Sequence, residues 1–147
     1  MVNFSAAIVA GGRSSRMGRD KAFVPLYGKP LIEHVLERIR PLDATHTLLI
    51  ANRPADYVYL GLPVHPDVLP DKGALGGIYS ALTYSPSDCC LVVACDMPLI
   101  NPDLLRTLVD MISPADAVVP RTRARSRQGN NVTFQPLLAV YHRRCLP

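Results

Sequence analysis

Two kinds of apolar pattern alternate along the chain. Continuous apolar runs of strand length occur at Ser5-Ala6-Ala7-Ile8-Val9-Ala10, Thr47-Leu48-Leu49-Ile50-Ala51 and Cys90-Leu91-Val92-Val93-Ala94. An uninterrupted run of this length predicts a strand buried on both faces, as at the centre of a parallel sheet. Between the runs the period changes. Leu31, Ile32, Val35, Leu36 and Ile39 lie at i, i+1, i+4, i+5 and i+8, one face of a helix, with Pro30 at its first turn and Pro41 ending it. Leu75, Ile78, Tyr79 and Leu82 predict a second helix, entered through Gly73 and left before Pro86. Asn101-Pro102-Asp103 combines a capping side chain, a first-turn proline and an acid favoured by the helix dipole. It opens a third helix with Leu104, Leu105, Leu108, Val109 and Ile112 on it. A short helix around Ala55–Leu60 and strands at Val64-His65, Ala117–Val119 and Pro136–Tyr141 complete the reading.

Strand–helix alternation predicts an α/β fold: right-handed βαβ units forming a Rossmann-like, mostly parallel sheet with helices on both faces. No repeat and no linker interrupts it, so residues 1–147 read as one domain. Ligands in such folds gather at the carboxyl ends of the strands. That rule brings three loops to one edge: Gly11–Lys21, Asn52-Arg53 and Cys95-Asp96-Met97-Pro98.

Composition narrows the class. A chain of 147 residues can bury a real core without covalent staples. Its cysteines, Cys89, Cys90, Cys95 and Cys145, lack the spacing of a zinc or redox motif and read as reduced thiols of a cytoplasmic protein. No segment approaches the ~20 apolar residues of a membrane span, and the first apolar run is too short and too early for a secretory signal. A formal net charge of +4 suits an anionic small substrate and does not by itself require nucleic acid. Arg121, Arg123, Arg125 and Arg127, followed by Gln128-Gly129-Asn130-Asn131, read first as a solvated loop. The functional alternatives for this run are a lid or funnel for an acidic substrate, or a nucleic-acid contact.

The candidate chemistry begins where the first strand ends. Gly11-Gly12-Arg13-Ser14-Ser15-Arg16-Met17-Gly18-Arg19-Asp20-Lys21 holds four cations in nine residues. Glycine lets backbone amides approach a ligand, and clustered Arg and Lys neutralise dense negative charge, so the loop suits a polyphosphate. It is neither G-x-G-x-x-G nor a Walker A loop. Asp96 follows the most apolar strand, where one carboxylate can hold Mg²⁺ together with substrate phosphates; a turn acid or helix cap is the alternative. Gly76 and Gly77 lie inside a helical pattern, which close packing against a neighbour, a base plane or a strand would each explain. The four histidines lack partners for triad or metal chemistry, and no G-x-S-x-G is present.

Val9-Ala10-Gly11-Gly12-x-x-x-Arg16-Met17-Gly18-x-Asp20-Lys21, followed by Gly28-Lys29-Pro30-Leu31, resembles the signature of nucleotidyltransferases with the glycosyltransferase-A-like fold. Gly73-Ala74-Leu75-Gly76-Gly77 and Cys95-Asp96-Met97-Pro98 look most like the molybdenum cofactor guanylyltransferases within that group, and Gln135–Tyr141 is similar to a later family strand. The resemblance implies transfer of GMP from Mg-GTP to molybdenum-bearing molybdopterin, with release of pyrophosphate. It implies backbone contacts to the nucleotide from Val9, Ala10, Gly11 and Gly12, triphosphate binding by Arg16 and Lys21, and Mg²⁺ on Asp96. It extends the nucleotide pocket to Asn52, Asp67 and Gly73. Ile50 stands where some relatives carry a polar nucleotide contact. Family members also continue beyond Arg143-Arg144-Cys145-Leu146-Pro147 into further helices and a strand, so the fold reads as C-terminally truncated. The resemblance leaves open a CTP-dependent or sugar- or alcohol-phosphate nucleotidyltransferase, and a non-catalytic nucleotide-binding module. Partners among molybdoenzyme-maturation proteins are a further expectation, and no membrane partner is expected.

Overall fold

Six strands order as β5-β4-β1-β6-β10-β7 in a computed structural model that describes residues 1–11 and 20–147, the side chains of Arg125 and Ser126 excepted. Here β1 is Phe4–Val9, β4 His46–Ile50, β5 Val64–His65, β6 Cys89–Ala94, β7 Ala117–Val118 and β10 Leu138–His142. The intervening short strands β2 (Pro25–Leu26) and β3 (Lys29–Pro30) pair only with each other. β1 runs parallel to β4 and β6, and β4 parallel to β5, while β10 is antiparallel to both β6 and β7. The sheet is therefore mostly parallel, as the alternation of periods predicts.

Every residue of β1 and β6 is buried, which is why both read as unbroken apolar runs. Alternation along them feeds two cores. Ala6, Ile8, Leu49, Leu91, Val93 and Val140 face one side and pack with Ile32, Val35, Leu36 and Ile39 of α1 (Leu31–Ile39) and Leu105, Leu108 and Val109 of α3 (Pro102–Asp110). Ala7, Val9, Leu48, Ile50, Val92 and Ala139 face the other side and meet Ile78, Ala81 and Leu82 of α2 (Gly73–Tyr84). Each fully buried Leu, Ile or Val stabilises the fold by ~1.5–3 kcal/mol, so these two layers are the main term holding the sheet together.

Local signals behave as expected with small corrections. Asn101 caps α3, its side chain accepting from Asp103 N at 2.9 Å. Pro30 stands at the cap of α1 instead of within its first turn, because it ends β3 in an extended conformation. Ile112 lies just beyond α3 and is nevertheless buried. The arginine run is not a loop: β8 (Arg121–Ser126) and β9 (Gly129–Phe134) form an antiparallel ribbon. The 55–60 helix is a 3-10 segment, Pro54–Leu60.

Candidate functional site

Parallel pairing aligns the ends of three strands. Val9 is in register with Ile50 on one side and Ala94 on the other, so the segments that follow all leave one edge of the sheet. The Ala10 amide donates to the Ile50 carbonyl at 2.8 Å and the Cys95 amide to the Val9 carbonyl at 3.1 Å, carrying the pairing one step past the strands. Gly11 then turns the chain with φ of 125°, a left-handed value that side chains disfavour. Val9 and Ala10 are buried and Gly11 is exposed, which leaves backbone as what this turn offers to a ligand. Gly12 and Arg16 lie outside the described residues.

The chain is described again at Asp20. One Asp20 carboxylate oxygen accepts from Ala22 N at 3.1 Å, capping the 3-10 turn Lys21–Phe23, and the other accepts a hydrogen bond from the Tyr57 hydroxyl. Phe23 stacks on Tyr57 with ring centroids 4.9 Å apart. Burial and the Asp20 carboxylate hold the Tyr57 hydroxyl well above its ordinary range, so it stays a proton donor. Lys21 is thereby exposed on a turn whose base is fixed.

Cys95 and Asp96 follow β6. Burial first, then the nearby Asp96 and Asp20 carboxylates, push the Cys95 thiol up to about 12, which rules it out as a nucleophile at neutral pH. Asp96 is exposed and forms neither a hydrogen bond nor an ion pair with a described residue. No group of three or more His, Cys, Asp or Glu side chains gathers for a metal among the described residues. A free carboxylate at a strand end therefore fits a Mg²⁺ that takes its other ligands from phosphates and water.

The third strand end builds a polar cluster. Asn52, two residues past β4, accepts from Asp67 N at 3.0 Å and donates to Asp67 Oδ2 at 3.4 Å. Ser80, buried on α2, lies 3.1 Å from Asp67 Oδ1 and 2.8 Å from the Gly76 carbonyl, and accepts from Val68 N at 2.9 Å. Gly73 opens α2 with φ of 58°. A Cβ on Gly77 would come within 2.7 Å of Val9 Cγ1, and one on Gly76 within 2.8 Å of the Leu69 carbonyl oxygen. Of the explanations open for this pair, helix–strand packing accounts for Gly77 and close approach to the preceding loop for Gly76.

Thus Asn52 and Asp67 bond directly, while Val9, Ala10, Gly11 and Asp96 share the edge by strand register. Sequence reasoning missed Tyr57 and Ser80. They reach their carboxylates from 37 and 13 residues away, and no local pattern marks either.

A mostly parallel sheet that presents a backbone turn, an uncommitted carboxylate and a polar cluster at one carboxyl edge has the ligand-binding layout of α/β folds, and comparison with known proteins makes this one a nucleotidyltransferase. A family model described as the MobA-like NTP transferase domain matches residues 6–147, and the chain belongs to that family. It is 39% identical over 146 residues to a probable molybdenum cofactor guanylyltransferase of Clostridium perfringens, covering 99% of this chain and 69% of the relative. It is 37% identical to the molybdenum cofactor guanylyltransferase of Vibrio cholerae, covering 97% of this chain and 68% of that one. Among solved structures, molybdopterin-guanine dinucleotide biosynthesis protein A of Archaeoglobus fulgidus superposes with a TM-score of 0.70 at 29% identity, covering 95% of this chain and 68% of that one. No helix among the described residues is long and apolar enough to cross a membrane.

Proposed function

We propose that the protein is a nucleotidyltransferase of molybdenum cofactor biosynthesis that transfers GMP from GTP to molybdenum-bearing molybdopterin and releases pyrophosphate. The observation that carries this reading is Asp96, exposed and without a described partner, two residues past the strand that pairs with β1 beside the Ala10–Gly11 turn. The names of the relatives support the same reaction.

The reaction joins two anions, so its barrier is one of alignment and charge. A phosphate oxygen of the acceptor attacks the α-phosphorus of GTP, and the bond from that phosphorus to the β-phosphate bridging oxygen breaks. No covalent intermediate on the protein is required. The backbone of Val9, Ala10 and Gly11, with Gly12, lies along the nucleotide, and Asn52, Asp67 and Gly73 line its pocket. Lys21 and Arg16 bring positive charge to the triphosphate. Asp96 would hold Mg²⁺, and that ion would supply charge neutralisation for the phosphates and for the departing pyrophosphate. The Asp20–Tyr57 bond keeps the turn that carries Lys21 in one conformation.

Thermal unfolding with GTP, CTP, ATP or UTP, each with Mg²⁺, tests the nucleotide half. A ligand at 100 times its Kd adds ~2.7 kcal/mol. For a chain of this size that raises Tm by about 5–11 °C. GTP is expected to give the largest shift, followed by pyrophosphate release when molybdenum-loaded molybdopterin is supplied. Preferential stabilisation by CTP would make this a cytidylyltransferase, and GTP binding without pyrophosphate release would make it a non-catalytic binder.

A further inference from the structure

Among the described residues, the β8–β9 ribbon is a large feature that the proposed nucleotide site leaves without a task. Its place follows from topology. β7 runs parallel to β6, and β10 starts level with the end of β6, Leu138 opposite Val93 and the Ala94 amide donating to the Leu137 carbonyl at 2.9 Å. The ribbon between β7 and β10 therefore rises from the carboxyl edge, the edge from which Asp96 projects. Its base is closed by the Gln135 amide on the Pro120 carbonyl at 3.0 Å.

Register then sorts its side chains. Arg121 lies opposite Phe134 and Arg123 opposite Val132, while Thr122 opposes Thr133 and Ala124 opposes Asn131. Directly opposed residues share a face and neighbours alternate, so Arg121, Arg123, Val132 and Phe134 occupy one face and the smaller Thr122, Ala124, Asn131 and Thr133 the other. Both faces are exposed along the described positions. From Ala117 to Pro147 the sequence holds six arginines and no aspartate or glutamate. Arg144 is committed to Asp116 at 2.8 Å and Arg143 to the Ser85 carbonyl, whereas Arg121 and Arg123 hold no ion pair with a described residue.

We propose that the Arg121–Arg123–Val132–Phe134 face of the ribbon binds the acceptor, a planar heterocycle bearing a phosphate, and presents it to the nucleotide edge. This rests on the transferase reading above. Guanidinium groups match phosphate geometry with paired donors, and an exposed aromatic ring beside a β-branched side chain offers a stacking platform for a flat ring. A second copy of this chain is a poor occupant, because stacking two such faces would oppose arginine to arginine. The small acceptor also explains the ribbon's position, which a nucleic-acid site would not need to share with Asp96.

The test titrates the protein with 6-hydroxymethylpterin monophosphate and, separately, with 6-hydroxymethylpterin, followed by calorimetry, alongside a Mg-GTP titration. Arg121→Gln/Arg123→Gln is expected to weaken the phosphorylated pterin at least about tenfold, with Mg-GTP affinity and Tm unchanged. Arg121→Lys/Arg123→Lys should restore part of that loss. Phe134→Ser should weaken both pterins alike. Binding of the phosphorylated pterin by the glutamine variant within about twofold of wild type overturns the proposal. So does a parallel loss of Mg-GTP, which would make the arginines part of the triphosphate site. Tighter capture of single-stranded RNA by the same face at physiological salt overturns it in favour of nucleic acid. Failure of wild-type protein to bind Mg-GTP sinks the transferase reading by itself and leaves the ribbon comparison legible.

Discussion

Gly77→Ala sets helix propensity against packing at one point. Alanine in place of glycine inside a helix normally stabilises it by ~1 kcal/mol. Here the added methyl meets Val9 Cγ1 at 2.7 Å and Cγ2 at 3.4 Å, against the ~3.5–4.0 Å at which carbon atoms attract. Val9 cannot swing away easily. It is β-branched, buried, and pinned between β4 and β6 by pairing on both sides. Overpacking costs ~1–3 kcal/mol, and so short a contact with a pinned side chain falls at about 2–3 kcal/mol of that range, so after the ~1 kcal/mol helix gain the net loss should be about 1–2 kcal/mol, or roughly 2–8 °C in Tm. Because Val9 leads into the Ala10–Gly11 turn, Mg-GTP affinity should fall as well. Differential scanning fluorimetry and chemical denaturation on wild type, Gly77→Ala, Val9→Ala and the double variant form a complete cycle. Truncating Val9 removes both offending methyls, so the double variant should be more stable than additivity predicts by ~1–2 kcal/mol. A Gly77→Ala protein as stable as wild type, or a cycle additive within ~0.5 kcal/mol, would refute the packing account. Gly76→Ala is the contrast. Its methyl meets the Leu69 carbonyl oxygen at 2.8 Å, and truncating a side chain gives no relief from backbone.

Asp96→Asn should remove Mg²⁺-dependent transfer by at least ~10²-fold with Tm unchanged, and retained pyrophosphate release would contradict its role. Ser80→Ala leaves the Val68 amide without its acceptor and takes one donor from Asp67, whose Oδ2 keeps the Asn52 amide, so unfolding should become easier by ~1–3 kcal/mol, with weaker nucleotide binding. Burial pushes the Cys90 and Cys95 thiols from an ordinary 9.0 up to about 12. Folded-state values raised this way give stability that is whole below pH 9 and lost as pH climbs toward 12, because the unfolded chain releases those protons first. Urea midpoints should fall across that window, and a flat profile would count against buried neutral thiols. In native protein at pH 8 the exposed Cys145 should be alkylated well before Cys89, Cys90 and Cys95, as read by mass spectrometry.

The sheet was legible because β1, β6 and the Leu48–Ile50 part of β4 are buried on both faces, and the only polar residue within those stretches is Ser5. The edge on which the candidate site residues gather followed from their parallel order. The ribbon was misread because both of its faces meet water: Arg-Thr-Arg-Ala-Arg alternates, but without the apolar side that normally marks a strand. Tyr57 and Ser80 were invisible for another reason. Each acts on a carboxylate that only the crossovers bring near, and neither residue type is unusual in the segment where it occurs. Gly77 could be flagged as costly in a helix, yet its partner Val9, on the far side of a βαβ unit, could not be named.

The strand that leads into the Ala10–Gly11 turn is the first of the six to be synthesised and ends at the sheet's centre. β4 reaches it early, but its other edge stays open until β6 has been made, some 85 residues after Val9. At ~5–20 residues per second that interval is about 4–17 s on the ribosome. Throughout it, an apolar strand offers a row of unmatched amides and carbonyls to whatever extended chain is nearby. The layout that gives the finished enzyme its most protected strand thus gives the nascent chain its longest exposure, and slowing translation between residues 50 and 94 should lower soluble yield more than slowing it elsewhere.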